Sequence, residues 1–149
     1  MFPPFGAGFK GKVMSNSQAV GVAYSDPEFT TCYAVKEIGY SAKSQGTVTQ
    51  LTSKTTGVTL NTPAGQITLN NSSLPSYDTA VFRVTNSSIS PKDVVIVNTS
   101  SGGTVDAYWA YVASIGAGYF DLGVYNNTAG ALAESLTLNF ATLHCQCAS

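Results

Sequence analysis

The sequence predicts an all-β chain, an antiparallel β-sandwich preceded by an extended N-terminal arm. Three observations carry this reading. Val, Thr and Tyr are abundant while Leu, Glu and Lys are sparse, a composition that suits pleated, half-buried strands better than helices. From residue 46 onward, apolar and polar residues alternate with a period of two in short runs. Between the runs lie clusters of Asn, Ser, Thr and Gly, which favour turns. At 149 residues the chain is long enough for one domain with a core of its own.

Residues 1–45 form the expected arm. They open Met1-Phe2-Pro3-Pro4-Phe5-Gly6-Ala7-Gly8-Phe9-Lys10-Gly11-Lys12 and sustain neither a period of two nor one of 3.6. Two prolines block regular pairing, three glycines loosen the backbone, and three phenylalanines have nothing local to bury them. Such a segment becomes ordered on a partner rather than on itself. Phe2, Phe5 and Phe9 are therefore the expected anchors. Lys10 and Lys12, with no acidic neighbour before Asp26, are the expected partners for carboxylates.

Residues 46–149 form the expected sandwich with a short C-terminal tail. Strands are predicted around Thr47–Thr52, Gly57–Asn61 and Gln66–Asn70. Next come Ala80, Phe82 and Val84 on one face, with Arg83 on the other. Val94-Val95-Ile96-Val97 reads as a strand buried on both sides. The run from Val105 to Ile115 places Val105, Ala107, Trp109, Tyr111, Ala113 and Ile115 together. Phe120, Leu122 and Val124 alternate with Tyr119, Asp121 and Tyr125, and Leu136, Leu138 and Phe140 with Thr137 and Asn139. Phe82, Val84, Ile96, Trp109, Leu122, Leu138 and Phe140 are the expected buried set. A single helical turn fits only Ala129–Ser135.

Charge narrows the function classes. Seven basic and eight acidic residues give a net charge of −1, without the basic excess of a nucleic-acid binder or a polybasic membrane patch. No apolar run is long enough to span a bilayer, and residues 1–20 carry no apolar signal core. Cytoplasmic synthesis is the expectation. Cys32, Cys145 and Cys147 then read as free thiols rather than a disulfide framework. His144-Cys145-Gln146-Cys147 with Cys32 has four ligand types for zinc but lacks paired CxxC knuckles, so neither a metal nor a cofactor is expected.

Catalytic groups are few. His144 is the one histidine, and no GxSxG elbow is present. Asp106 and Asp121, near Trp109 and Tyr119, are the best carboxylate pair for sugar hydrolysis. Surface or turn-capping roles suit them better, and the chain is expected not to be an enzyme. Tyr108, Tyr119 and Tyr125 are candidate interface aromatics, since tyrosine combines apolar area with a polar tip. Outward tyrosines with Trp109 also suit stacking on sugars. Five Asn-x-Ser/Thr triplets, at Asn70, Asn71, Asn86, Asn98 and Asn126, are expected by chance in a chain so rich in these residues.

Gly46-Thr47-Val48-Thr49-Gln50-Leu51-Thr52-Ser53-Lys54-Thr55-Thr56-Gly57-Val58-Thr59-Leu60-Asn61, followed by Gly65-Gln66-Ile67-Thr68, resembles a module of small virion proteins from tailed bacteriophages and prophages. Phe82–Ser87, Asp93–Asn98 and Leu136–Ala141 extend the resemblance, which spans roughly residues 46 to 143 and leaves out the arm and the tail. It implies a head decoration or cement protein that assembles in the bacterial host cytoplasm and sits on the capsid surface. Its implied partners are the major capsid protein and further copies of itself, with no nucleic acid and no membrane. It carries over no catalytic residue. The alternative is a tail-fibre or receptor-binding module that contacts host surface glycans.

Overall fold

The computed structural model describes residues 30–145. Phe2, Phe5, Phe9, Lys10, Lys12 and Cys147 lie outside the described residues. The chain divides into two units, Met1–Ile38 and Gly39–Ser149. The second is the sandwich, and it begins ahead of the first periodic strand. Gln45 Nε2 donates to the Tyr40 carbonyl at 3.2 Å, the Tyr40 hydroxyl donates to the Thr142 carbonyl, and a single 3-10 turn at Ala42–Ser44 leads into the sheet.

Eight strands follow: β1 Gln45–Thr49, β2 Val58–Thr59, β3 Ala64–Thr68, β4 Thr79–Thr85, β5 Val94–Ser101, β6 Tyr108–Gly116, β7 Tyr119–Asn126 and β8 Thr137–Leu143. They make two four-stranded sheets, ordered β1-β3-β8-β5 and β2-β4-β7-β6. The all-β sandwich is as expected, but the sheets are mixed. β1 runs parallel to β3 and β2 parallel to β4, while the other pairs are antiparallel. The cause lies in the path of the chain. The first four strands alternate between the sheets, so each parallel neighbour is reached through a strand of the opposite sheet. That supplies the crossover of a dozen or more residues that parallel pairing needs.

The core lies between the inward faces. Ile67, Leu69, Phe82, Val84, Phe120, Leu122, Val124, Leu136, Leu138 and Phe140 are buried, and the Phe120 and Phe140 rings meet at 5.2 Å between centroids. Two residues of the expected buried set are exposed. Ile96 is 54% exposed and Trp109 58%. In β5 only Val95 is buried and Val97 partly so, because alternate residues point to the outer, solvent-facing side of the sheet. In β6 the inward positions are Tyr108, Ala110 and Val112, one residue out of phase with the set that contains Trp109. Residues Ala129–Ser135 form no helix; they pair Leu132 with Leu74 through bonds of 2.8 and 3.0 Å.

Buried polar residues tie the loops down. Asn86 and Asn126 are fully buried. The Asn126 Nδ2 donates to the carbonyls of Leu74, Pro75 and Gly130 at 2.8–3.1 Å. Its Oδ1 accepts from the Thr128 N–H and hydroxyl. Asn86 does the same with Ser88, and Asn70 Oδ1 accepts from the Ser72 N–H. Three of the five Asn-x-Ser/Thr triplets are therefore not chance matches. They are turns in which the asparagine side chain takes the N–H two residues on.

Candidate functional site

The outer face of the β2-β4-β7-β6 sheet holds most of the exposed aromatic surface of the sandwich. Strand register sets it out in rows. Thr79, Tyr125 and Trp109 lie side by side, then Val81, Gly123 and Tyr111, then Arg83, Asp121 and Ser114, then Thr85, Tyr119 and Gly116. Every second residue of β4 and β7 points outward, so three strands deliver one continuous strip.

Glycines keep the strip low. A Cβ on Gly123 would collide with the Tyr111 ring, and one on Gly116 with the Tyr119 ring. Each tyrosine therefore lies across the backbone of a neighbouring strand instead of standing away from it. Trp109 packs against Tyr125, with centroids 5.7 Å apart and planes tilted 42°. The Arg83 guanidinium carbon sits 3.7 Å from the centre of the Tyr119 ring, a cation–π stack.

The polar centre of the strip is a hydrogen-bonded cluster of Arg83, Asp121 and Ser114. Arg83 Nε and Nη2 donate to the two carboxylate oxygens of Asp121 at 2.8 and 3.1 Å, the fork-to-fork arrangement open to arginine alone. The Ser114 hydroxyl donates to Asp121 Oδ2 at 2.6 Å. Hydrogen bonding from Arg83 holds the Asp121 carboxyl below its ordinary pKa against the opposing effect of partial burial. The Asp121 hydrogen bond in turn raises that of Arg83. The pair stays ionised at neutral pH and adds no net charge to the face.

A β-bulge makes the array. Register slips between Val112 and Ser114, so one residue of β6 has no opposite number. Ser114 thereby turns out to meet Asp121, while Ile115, expected beside Trp109, turns in and packs against the core.

Tyr119 and Tyr125 lie half-buried on this face. Tyr108, expected with them, does not; it is 8% exposed and points into the core, because it occupies an inward position of β6. Its hydroxyl is enclosed without a hydrogen-bond partner of good geometry, and burial, reinforced by the Glu134 carboxylate, pushes its pKa up to about 12. The Asp106–Asp121 pair is not assembled. Asp106 sits in the turn before β6 at a φ of 60°, and Asp121 lies opposite Ser114, about 20 Å farther along the strand at 3.4 Å per residue. Val81 and Arg83 belong to the strip but did not stand out as site residues in the sequence. Their one sequence signal is their two-residue spacing on β4, which sets them on the face opposite Phe82 and Val84.

A second polar cluster holds the end of β8. The Asp93 carboxylate accepts from the Ser90 N–H at 2.8 Å, the Cys145 N–H at 2.9 Å and His144 Nδ1 at 2.9 Å. Burial opposes its ionisation, but these hydrogen bonds outweigh burial and bring its pKa to about 2. An ionised carboxylate only accepts, so His144 carries its proton on Nδ1. Cys32 and Cys145 are free and exposed. Among the described residues no three His, Cys, Asp or Glu side chains converge as metal ligands, and no helix is long and apolar enough to cross a membrane. No protein family, curated protein or solved structure matches the chain.

Proposed function

We propose that the chain is a non-catalytic binding protein displayed on the capsid of a tailed bacteriophage, a decoration protein with two contact surfaces. The segment that carries Phe2, Phe5, Phe9, Lys10 and Lys12 attaches to the major capsid protein, and many copies bridge neighbouring capsid subunits. The sandwich stands on that attachment and presents the outer face of the β2-β4-β7-β6 sheet. The phage setting rests on the sequence resemblance over residues 46 to 143. The binding role rests on one structural observation: Trp109, Tyr111, Tyr119, Tyr125 and Arg83 share one face and leave Trp109 and Arg83 more than half exposed. Trp, Tyr and Arg are the residue types that concentrate binding energy at recognition surfaces.

Co-sedimentation with shells that lack the native protein tests this reading. Deletion of residues 1–12 should leave a folded sandwich that no longer sediments with shells, and Trp109→Ala should sediment as the parent does. Undiminished sedimentation of the deletion variant removes the arm from the mechanism. Loss of sedimentation in Trp109→Ala makes the sheet face the shell contact and ends the display reading. A tail-fibre module remains the second reading, favoured by the same aromatic face. Copy number separates the two, since decoration proteins are many per particle and fibres few.

A further inference from the structure

We propose that the outer face of the β2-β4-β7-β6 sheet is a binding site for a neutral oligosaccharide chain, with Trp109 and Tyr125 as the stacking platform and Arg83 as the hydroxyl-reading group. The proposal rests on the display reading and supplies its ligand. Four features of the face converge on this chemistry.

The first is charge. The strip carries one cation and one anion, and they are spent on each other through the bidentate Arg83–Asp121 pair. A phosphate or a uronate would set a second negative charge beside the Asp121 carboxylate, with Arg83 already neutralised. A neutral ligand sets none there, and while two of the guanidinium's five N–H groups serve Asp121, others remain to donate. Asp121 and the Ser114 hydroxyl add acceptor oxygens beside them. Sugar hydroxyls both donate and accept, and a fixed array of donors and acceptors beside aromatic rings answers both.

The second is shape. Tyr111 over Gly123 and Tyr119 over Gly116 keep the surface low where larger residues would raise it. Apolar C–H faces of sugar rings lie well on such a surface. The third is length. Tyr119 and Tyr125 are six residues apart on β7, about 20 Å at 3.4 Å per residue. That is the footprint of a chain of several sugar units, not of a single one.

The fourth is area. Strand spacing of about 4.8 Å makes the three aromatic strands about 15 Å wide, so the strip covers about 300 Å² in plan. A stable protein partner, a second copy included, needs about 800 Å² on each side. The patch is too small for that and large enough for an extended glycan.

The test uses the full-length protein on a printed array of neutral and acidic glycans, followed by titration of the best neutral binder. Trp109 is the chain's only tryptophan, so its intrinsic fluorescence reports from the platform itself. The expected result is array binding confined to neutral glycans and a saturable change in Trp109 emission. Tyr125→Ala and Arg83→Lys should each weaken binding at least tenfold with unchanged far-ultraviolet circular dichroism. Arg83→Lys keeps the charge and loses the planar fork, so its failure separates hydroxyl reading from simple electrostatics. Array binding no stronger than that of Trp109→Ala, or binding only to acidic glycans, overturns the proposal. If shell attachment of Trp109→Ala is intact in that case, the display reading stands and only the sugar assignment falls. If shell attachment is lost, the face docks protein and both fall.

Discussion

Lys54→Met should be one of the most damaging single substitutions outside the apolar core. Lys54 is 2% exposed. Its ammonium donates to the carbonyls of Asn70 and Ser72 at 2.7 Å and of Glu134 at 2.8 Å, which joins the loops after β1 and β3 to the segment before β8. Burial pushes its pKa below the ordinary lysine value, and the Glu134 charge opposes that only in part. Methionine fills the space but leaves three partly buried acceptors unpaired, at about 1–3 kcal/mol each. Several kcal/mol of ammonium dehydration come back in return, so the expected net loss is about 3 kcal/mol. With an m-value of about 2 kcal/mol per M in urea, the midpoint should fall by about 1.5 M. Urea titration followed by far-ultraviolet circular dichroism measures this, with Lys92→Met, at an exposed position, as the control for loss of charge alone. A Lys54→Met shift under about 0.3 M, or one equal to the control, would refute the idea that the ammonium holds these loops together.

Three further outcomes are expected. The Asp93 carboxyl drops from the ordinary 3.8 to about 2 on folding, so its stabilisation is present above pH 3.8 and is lost as pH falls through about 2. The amount is about 2 kcal/mol, less where water screens the cluster, and urea midpoints between about pH 5 and pH 2 should show it in the parent and not in Asp93→Asn. Gly102→Ala should lose more than about 2 kcal/mol, because Gly102 has a φ of 89° and its Cβ would strike the Ser135 carbonyl. Gly123→Ala should lose under about 1 kcal/mol, since the Tyr111 ring can lift, but should weaken glycan binding by raising the strip. Asn126→Ala, which takes the donor from the carbonyls of Leu74, Pro75 and Gly130 and empties a fully buried position, should cost about 3 kcal/mol in the same urea titration.

The strands that bury one face were readable from alternation alone. Phe82 and Val84, Phe120, Leu122 and Val124, and Leu138 and Phe140 all point inward as their spacing implies. Alternation says which residues share a face; it does not say which face is wet. In β6, Trp109 and Tyr111 do share a face with each other, but apolar bulk pointed that face inward, whereas Tyr108, Ala110 and Val112 fill the space beneath. The four aliphatics at Val94–Val97 looked like two-sided burial, but one face of this sheet is open to solvent and Val94 and Ile96 point to it. Lys54 was invisible, because a single lysine between Ser53 and Thr55 reads as a solvated loop residue until three distant carbonyls converge on it. The asparagine turns were visible as triplets, but the i to i+2 hydrogen bond that explains the spacing is a matter of geometry.

The bulge in β6 links these misreadings to the site. Without it, strict alternation from Trp109 and Tyr111 would carry Ala113 and Ile115 outward and Ser114 inward. The sheet would then bury a hydroxyl and expose an isoleucine, and Asp121 would keep only Arg83. One unpaired residue reverses the phase partway along the strand. The first half of β6 gives Trp109 and Tyr111 to the surface and Tyr108, Ala110 and Val112 to the interior. The second half gives Ile115 to the core and Ser114 to Asp121. A local irregularity that serves the core alone would not need to place a hydroxyl 2.6 Å from the carboxylate that orients Arg83. Deleting Ala113, the residue with no opposite number, should therefore keep Ser114 facing Asp121 and Ile115 facing Phe120, whereas an alanine inserted after Ala113 would pair Ala113 with Asp121, move Ser114 one row on and break the polar array even where the sandwich survives.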